Sequence, residues 1–272
     1  MNKHIRKLVR RFTRASPYPE QFMEHLDLPE FDGDPFLYMI ASTPRCGSHL
    51  LGHALIETKY FGVPLEYFHP NNANIWKKKL KANNNETLLG ELIKRRTSST
   101  GFFGFKAHWT HLESLTDKNV FNKYGGIQSV IWIYRRNILK QAISLCIARQ
   151  TKQWISGSKK HADPVYDYNL IVSQAIQVRD QNRQWQRYLA SKFSHNTMVV
   201  SYEDILAQSE NVLKGIALHI DPFNQIQPKY SEKTTQQSDS VSDNWHDCFI
   251  NDVKIADQWI LSEQNYNAAI SV

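Results

Sequence analysis

Residues 36–51 read Phe36-Leu-Tyr-Met-Ile-Ala-Ser-Thr-Pro-Arg-Cys-Gly-Ser-His-Leu-Leu51. Phe36 to Ala41 carry no charge and have the length of a buried strand. Thr43-Pro-Arg-Cys-Gly-Ser48 then breaks the pattern as a turn, and His49 to Glu57 reads as a helix. A buried strand entering a helix through a glycine turn aims backbone N–H groups and the positive helix end at an anion. Arg45 adds a planar fork suited to phosphate or sulfate oxygens. Cys46 and Gly47 belong to the same turn, and Ser48 and His49 can donate further bonds. The GxxxxGK[ST] pattern fails, because Ser48 follows Gly47 and no lysine follows it. A magnesium–nucleotide site is therefore not supported. Taken alone, the turn fits equally an anion site and an ordinary strand-to-helix connection with an exposed arginine.

A second stretch repeats the plan. Ser129-Val-Ile-Trp-Ile-Tyr134 is a strand, Arg135 and Arg136 stand at its carboxyl end, and a helix follows from about Ile138 to Gln150. Ser144 lies two turns into that helix. Two arginines at a helix start oppose the helix dipole, which hints at a bound anion there. The alternative is simply a basic helix start. Elsewhere, Phe102 to Lys106 and Thr197 to Ser201 read as strands. Residues 85–96, 166–192 and 204–219 read as helices, residues 222–243 as polar and irregular, and the tail from Asn244 as partly helical. Strands alternating with helices imply an α/β fold with a mostly parallel sheet, whose ligands bind beyond the carboxyl ends of the strands. The expected organisation is a basic arm or short amphipathic helix and loop over residues 1–35 and one domain over 36–272.

Composition narrows the classes. The chain has 272 residues, 41% hydrophobic and 22% charged, enough apolar material for a core. Its formal charge is +7, but Lys3, Arg6, Lys7, Arg10, Arg11 and Arg14 supply six of those charges. The near-neutral body argues against a nucleic-acid binder. Within residues 1–14, Ile5, Leu8, Val9 and Phe12 share one helical face. Such a segment fits either an anionic membrane surface or a solvated arm. No apolar run is long enough to span a membrane. Cys46, Cys146 and Cys248 form no CxxC pair, which points to a reducing, cytoplasmic setting without disulfides. No metal site is expected. The pairs His49/His53 and His108/His111 lack further ligands at convincing spacing.

Six stretches, in order, resemble the bacterial trehalose 2-sulfotransferase family. They are Ala41 to Leu51, Gly62-Val-Pro-Leu-Glu-Tyr-Phe68, Gly104-Phe-Lys-Ala-His-Trp109, Tyr134-Arg-Arg-Asn with Gln141-Ala-Ile-Ser144, Gln150-Thr-Lys-Gln-Trp154, and Gln237-Ser-Asp with Ser242-Asp-Asn-Trp245. The resemblance implies a three-layer, P-loop-like sulfotransferase fold with a central, mostly parallel sheet. It implies 3′-phosphoadenosine-5′-phosphosulfate (PAPS) as co-substrate and no metal. The Arg45 turn, with Cys46, Gly47, Ser48 and His49, would hold the 5′-phosphosulfate. Ser144 and Arg135 or Arg136 would hold the 3′-phosphate, with Arg135 preferred, and Gln237 would lie in a loop closing over the nucleotide. Glu66 matches the family's general base. Arg45, Lys106 and His108 are placed to stabilise charge on the leaving oxygen, although for Lys106 and His108 a structural role fits as well. His69 and Trp154 would line the acceptor pocket, or simply pack. The implied acceptor is a carbohydrate or glycolipid, and the implied assembly a homodimer. Val63, Cys46 and His49 depart from the family's usual residues, so the donor site is better supported than trehalose as acceptor. The competing readings are a degenerate P-loop kinase and a non-catalytic polyanion binder.

Overall fold

The computed structural model describes residues 19–116, 120–155, 158, 160–223 and 240–266. Four strands form the centre: β1 (Phe36–Ser42), β2 (Phe102–His108), β3 (Ser129–Tyr134) and β4 (Thr197–Ser201). All pair in parallel, in the order β2-β1-β3-β4. Around them lie α1 (Ser48–Glu57), α2 (Pro70–Leu80), α3 (Asn85–Arg96), α4 (Trp109–Thr116), α5 (Ile138–Thr151), α6 (Tyr168–Lys192), α7 (Tyr202–Ile220) and α8 (Ser240–Asp252).

The strands are mostly apolar because both faces of the sheet are covered; Lys106 and His108, toward the carboxyl end of β2, are the main exceptions. The strand period of two sorts their side chains. Leu37, Met39, Ala41, Phe103, Phe105, Val130 and Trp132 face a cluster with Trp76 of α2, Leu88 and Leu92 of α3, and Trp185 of α6. Tyr38, Ile40, Ile131 and Ile133 face the opposite cluster, with Leu51 and Leu55 of α1 and Leu213 and Ile216 of α7. This is the three-layer α/β architecture that the strand–helix alternation predicts. A third cluster packs α5 against α6 and α8 through Ile143, Ile171 and Phe249.

Strand order locates the site. The chain leaves β1 for β2 on one side, then crosses to β3 on the other. β1 and β3 are therefore the switch point of the sheet, where open α/β folds bind ligands. The Arg45 turn follows β1, and Arg135 follows β3.

Several segments go beyond or against the sequence reading: α2 and α4 had no assignment there, and α8 begins at Ser240, inside the stretch read as irregular. Residues 70–80 form a full helix, with His69 as N-cap accepting from the Asn71 backbone N–H and Pro70 in its first turn, where a missing N–H costs nothing. Residues 19–26 are two short 3₁₀ turns rather than open loop. Phe22 is buried, and the buried Arg96 bonds to Asp27 and to the carbonyls of Gln21 and Met23. Residues 1–14 and Gln237 lie outside the described residues.

Candidate active site

The turn after β1 is built from both sides. Arg45 and Gly47 have φ of 65° and 91°, so two of three consecutive residues are left-handed. Only glycine suits position 47: a Cβ there would lie 2.3 Å from the Tyr202 ring. Gln141 of α5 donates to Thr43 Oγ1 (3.0 Å) and to the Pro44 carbonyl (2.7 Å). From α6, Trp185 Nε1 donates to the Ser42 carbonyl at 2.9 Å. The turn is thus fixed before any ligand arrives. Arg45 Nε donates to Ser144 Oγ at 3.0 Å, and its Nη1 donates to the Trp154 carbonyl. The first-strand arginine and the second-motif serine, separate in sequence, therefore touch. Cys46 is fully buried in the apolar cluster beneath, where burial raises its thiol pKa. Its side chain serves the core rather than the anion surface.

The two arginines after β3 part company. Arg136 pairs with Asp204 at 2.8 Å, and its backbone N–H donates to Glu203. Glu203 also accepts from the Asn137 N–H. These acids, at the start of α7, answer the helix-dipole conflict at Arg136 without any ligand. Arg135 is different. Its side chain is 14% exposed and stacks at 4.8 Å over the Tyr202 ring, and its buried Nε has no hydrogen-bond acceptor among the described residues. Its nearest carboxylate, on Glu203, is 3.9 Å away. The same Tyr202 ring lies against Gly47, which places Arg135 beside the first turn.

The third component is Glu66, 4% exposed. The Lys106 N–H donates to the Leu65 carbonyl at 2.9 Å, holding the 65–67 segment alongside β2. Asn72 of α2 donates to the Glu66 carbonyl at 2.8 Å. The carboxylate then meets Lys106 Nζ at 3.3 Å, His108 Nε2 at 3.4 Å and His111 Nδ1 at 3.5 Å. His108 Nδ1 lies 2.9 Å from Ser42 Oγ, and the His69 ring packs edge-on against His111 at 4.8 Å. Burial raises the Glu66 pKa, but Lys106 and the surrounding imidazoles outweigh it and bring it to about 2. Lys106 dominates, since burial lowers the pKa of His108 and takes His111 to about 3, leaving both neutral near pH 7. Lys106 also acts electrostatically on Cys46 and His49, so the carboxylate cluster adjoins the turn.

This cluster has a stability signature. The unfolded chain protonates His111 near pH 6.5, whereas the folded chain resists until about pH 3. Glu66 behaves likewise between its model-compound value of 4.5 and about 2. In both windows the unfolded state binds more protons, so stability falls as pH falls. Each group contributes up to about 1.4 kcal/mol per pH unit. Thermal melts should show Tm declining from about pH 6.5 downward. His111→Asn should flatten the decline between about pH 6.5 and 5; an unchanged slope would exclude His111 as a source.

The structure thus brings together Arg45, Gly47, Ser144 and Arg135 at the turn, and Glu66, Lys106 and His108 beside it. Trp154 contributes its carbonyl to Arg45. His69 caps α2 and touches His111. His49 turns to Glu20, and burial followed by Lys106 drives its pKa to about 3. Sequence reasoning missed Gln141 as the turn's anchor, Tyr202 as the floor under Gly47 and Arg135, and His111 as a neighbour of Glu66. Only Gln141 had a signal, its place in the second motif.

The sequence profile of the family described as Stf0 sulphotransferase matches residues 37–252. The chain belongs to the Stf0 sulphotransferase family. This is the trehalose 2-sulfotransferase family that the six stretches resemble, and sulfuryl transfer is its chemistry. A search of curated proteins found no match. Among solved structures, the chain is similar to mouse sulfotransferase SULT7A1 complexed with PAP, at 13% identity and TM-score 0.43, covering 81% of this chain and 66% of that one. It is also similar to the sulfotransferase domain of the Synechococcus PCC 7002 olefin synthase, at 13% identity and TM-score 0.44, covering 80% and 90%. A third is the sulfotransferase domain from the curacin biosynthetic pathway, at 14% identity and TM-score 0.42, covering 79% and 83%. Among the described residues, no helix is long and apolar enough to cross a membrane.

Proposed function

We propose that this enzyme moves the sulfuryl group of PAPS to a hydroxyl of a carbohydrate or glycolipid acceptor. The observation that carries the reading is the adjacency of two devices. One is a cationic cradle of Arg45, Ser144 and Arg135, with a buried Arg135 N–H that finds no acceptor among the described residues. The other is the ionised Glu66 beside it. Arg45 and the α1 start would take the phosphosulfate, and Arg135 with Ser144 the 3′-phosphate.

In the transfer, the acceptor oxygen forms a bond to sulfur as the bond from sulfur to the bridging phosphate oxygen breaks. The hydroxyl proton passes to Glu66, and the leaving phosphate's charge falls to Arg45 and Lys106. The step balances without a metal ion. A carboxylate with a pKa of about 2 is a weak base, but an alcohol oxygen bonding to sulfur becomes strongly acidic and needs only a nearby acceptor. A second reading makes His108 the acceptor of the proton. It is favoured by the neutral ring held between Glu66 and Ser42.

A cavity of about 380 Å³ lined by Trp109, Thr110, Gln177, Asp180, Gln181 and Gln184 begins one residue beyond His108. A tryptophan, amides and a carboxylate are groups that suit a sugar, and the volume falls in the usual range for small-ligand sites. This supports a carbohydrate acceptor. The basic residues 1–14 would serve a membrane-borne glycolipid; unchanged vesicle binding after their deletion would end that extension.

The test is thermal stabilisation by the product bisphosphate, 3′-phosphoadenosine-5′-phosphate (PAP), beside ADP and Mg–ATP. At 100 times its dissociation constant, PAP should add about 2.7 kcal/mol to the folded state. No shift, or an equal one with Mg–ATP, would overturn the donor reading and return the kinase and polyanion alternatives.

A further inference from the structure

We infer that Glu20, His49 and His53 form a binding site for one divalent transition-metal ion, with zinc the best match to the ligand types. His49 and His53 are four residues apart on α1, so one helical face presents both rings. Their centroids are 4.3 Å apart. Glu20 arrives from the separate 3₁₀ turn Pro19–Phe22. One carboxylate oxygen, Oε1, faces both rings, at 2.9 Å from His53 Nε2 and 3.5 Å from His49 Nε2. All three donor atoms lie within 4.8 Å of one another.

These distances suit an ion. Zinc–nitrogen and zinc–oxygen bonds of about 2.0–2.2 Å in a tetrahedron put ligand atoms about 3.3–3.5 Å apart. The His49–Glu20 edge already has that length. The His53–Glu20 edge must open by about half an ångström, within reach of a glutamate rotamer change, as its hydrogen bond is exchanged for a bond to metal. Two imidazoles and one carboxylate are a zinc ligand set that leaves a fourth position for water. The side chains are 29–39% exposed, so an ion can enter from solvent. The ion would tie residues 19–22 to α1, whose first turn carries the anion-binding residues. The site uses the His49 ring, which faces Glu20 rather than the turn, and its test does not depend on the donor reading.

The experiment is a zinc titration of the full-length protein against a chromophoric chelator, with cobalt(II) absorption as a second readout. One equivalent should bind, and cobalt should show tetrahedral d–d bands without thiolate charge transfer. His53→Gln and Glu20→Gln should each weaken binding by at least about 10–100-fold, the loss typical even of outer-sphere partners. His111→Asn, in the Glu66 cluster, should leave zinc affinity unchanged. Far-UV circular dichroism of the metal-free variants separates ligand loss from unfolding. Absence of one-equivalent binding, equal affinity in folded His53→Gln and Glu20→Gln, loss of binding in His111→Asn, or a thiolate band would each overturn the assignment.

Discussion

Glu66→Gln is expected to lower the rate of sulfuryl transfer by about 10²–10⁴-fold while leaving stabilisation by PAP in place. The carboxylate is removed, but the Arg45–Ser144 contact and the Arg135 guanidinium are untouched. The variant carries a stability cost. Glu66 balances Lys106 in a pocket where both side chains are 4% exposed, and an uncompensated buried charge costs about 3–5 kcal/mol. A double variant, Glu66→Gln with Lys106→Gln, removes both charges. It should recover much of the stability, which assigns the cost to the unpaired charge; because Lys106 also takes charge in the transfer, the part played by Glu66 is read from the rate per folded molecule of the single variant. The pH–rate profile discriminates between the two candidate bases. With its pKa held near 2, Glu66 gives no acid limb at ordinary pH. Burial holds His108 below its usual 6.5, so as the base it would give an acid limb lying below that value. A folded Glu66→Gln enzyme retaining full activity would move the role to His108.

The parts legible in the sequence were those whose signal is local. β1 and β3 are unbroken apolar runs, and each ends in a turn whose glycine or arginines stand beside it in the chain. The parts that were not legible depend on chain returning from afar. Tyr202 lies under Gly47 because β4 pairs with β3, and nothing near residue 47 announces it. His111 was visible only as an i, i+3 partner of His108; its closeness to Glu66 needs Leu65 bridged to β2. The His49/His53 pair was set aside for want of a third ligand, and the fold supplies one 29 residues upstream of His49 in Glu20. The sequence reading made no assignment for α2, whose entry, His69-Pro-Asn-Asn, shows no apolar periodicity. The histidine caps the helix, and the proline sits where helices tolerate it.

The choice between Arg135 and Arg136 shows what geometry adds to a motif, and it predicts unequal variants. Arg135→Ala should weaken PAP binding by about 10–100-fold, as expected when a charge-assisted contact of about 1.5–3 kcal/mol is lost. Arg136→Ala should leave PAP affinity within about threefold. Its guanidinium already serves Asp204 on a partly exposed surface, where such pairs contribute at most about 1 kcal/mol to stability. Arg135→Lys should fall between wild type and alanine, since it keeps the charge and loses the planar fork over Tyr202. Calorimetric titration with PAP reads all three. The physical reason is desolvation. A guanidinium that is 14% exposed, with no acceptor for its Nε among the described residues, is costly to keep unless a ligand supplies an anion. Arg136 carries no such debt. If Arg136→Ala proved the more damaging variant, the donor would have to draw Arg136 away from Asp204. The acids at the start of α7 would then compete with the 3′-phosphate rather than orient the loop that receives it.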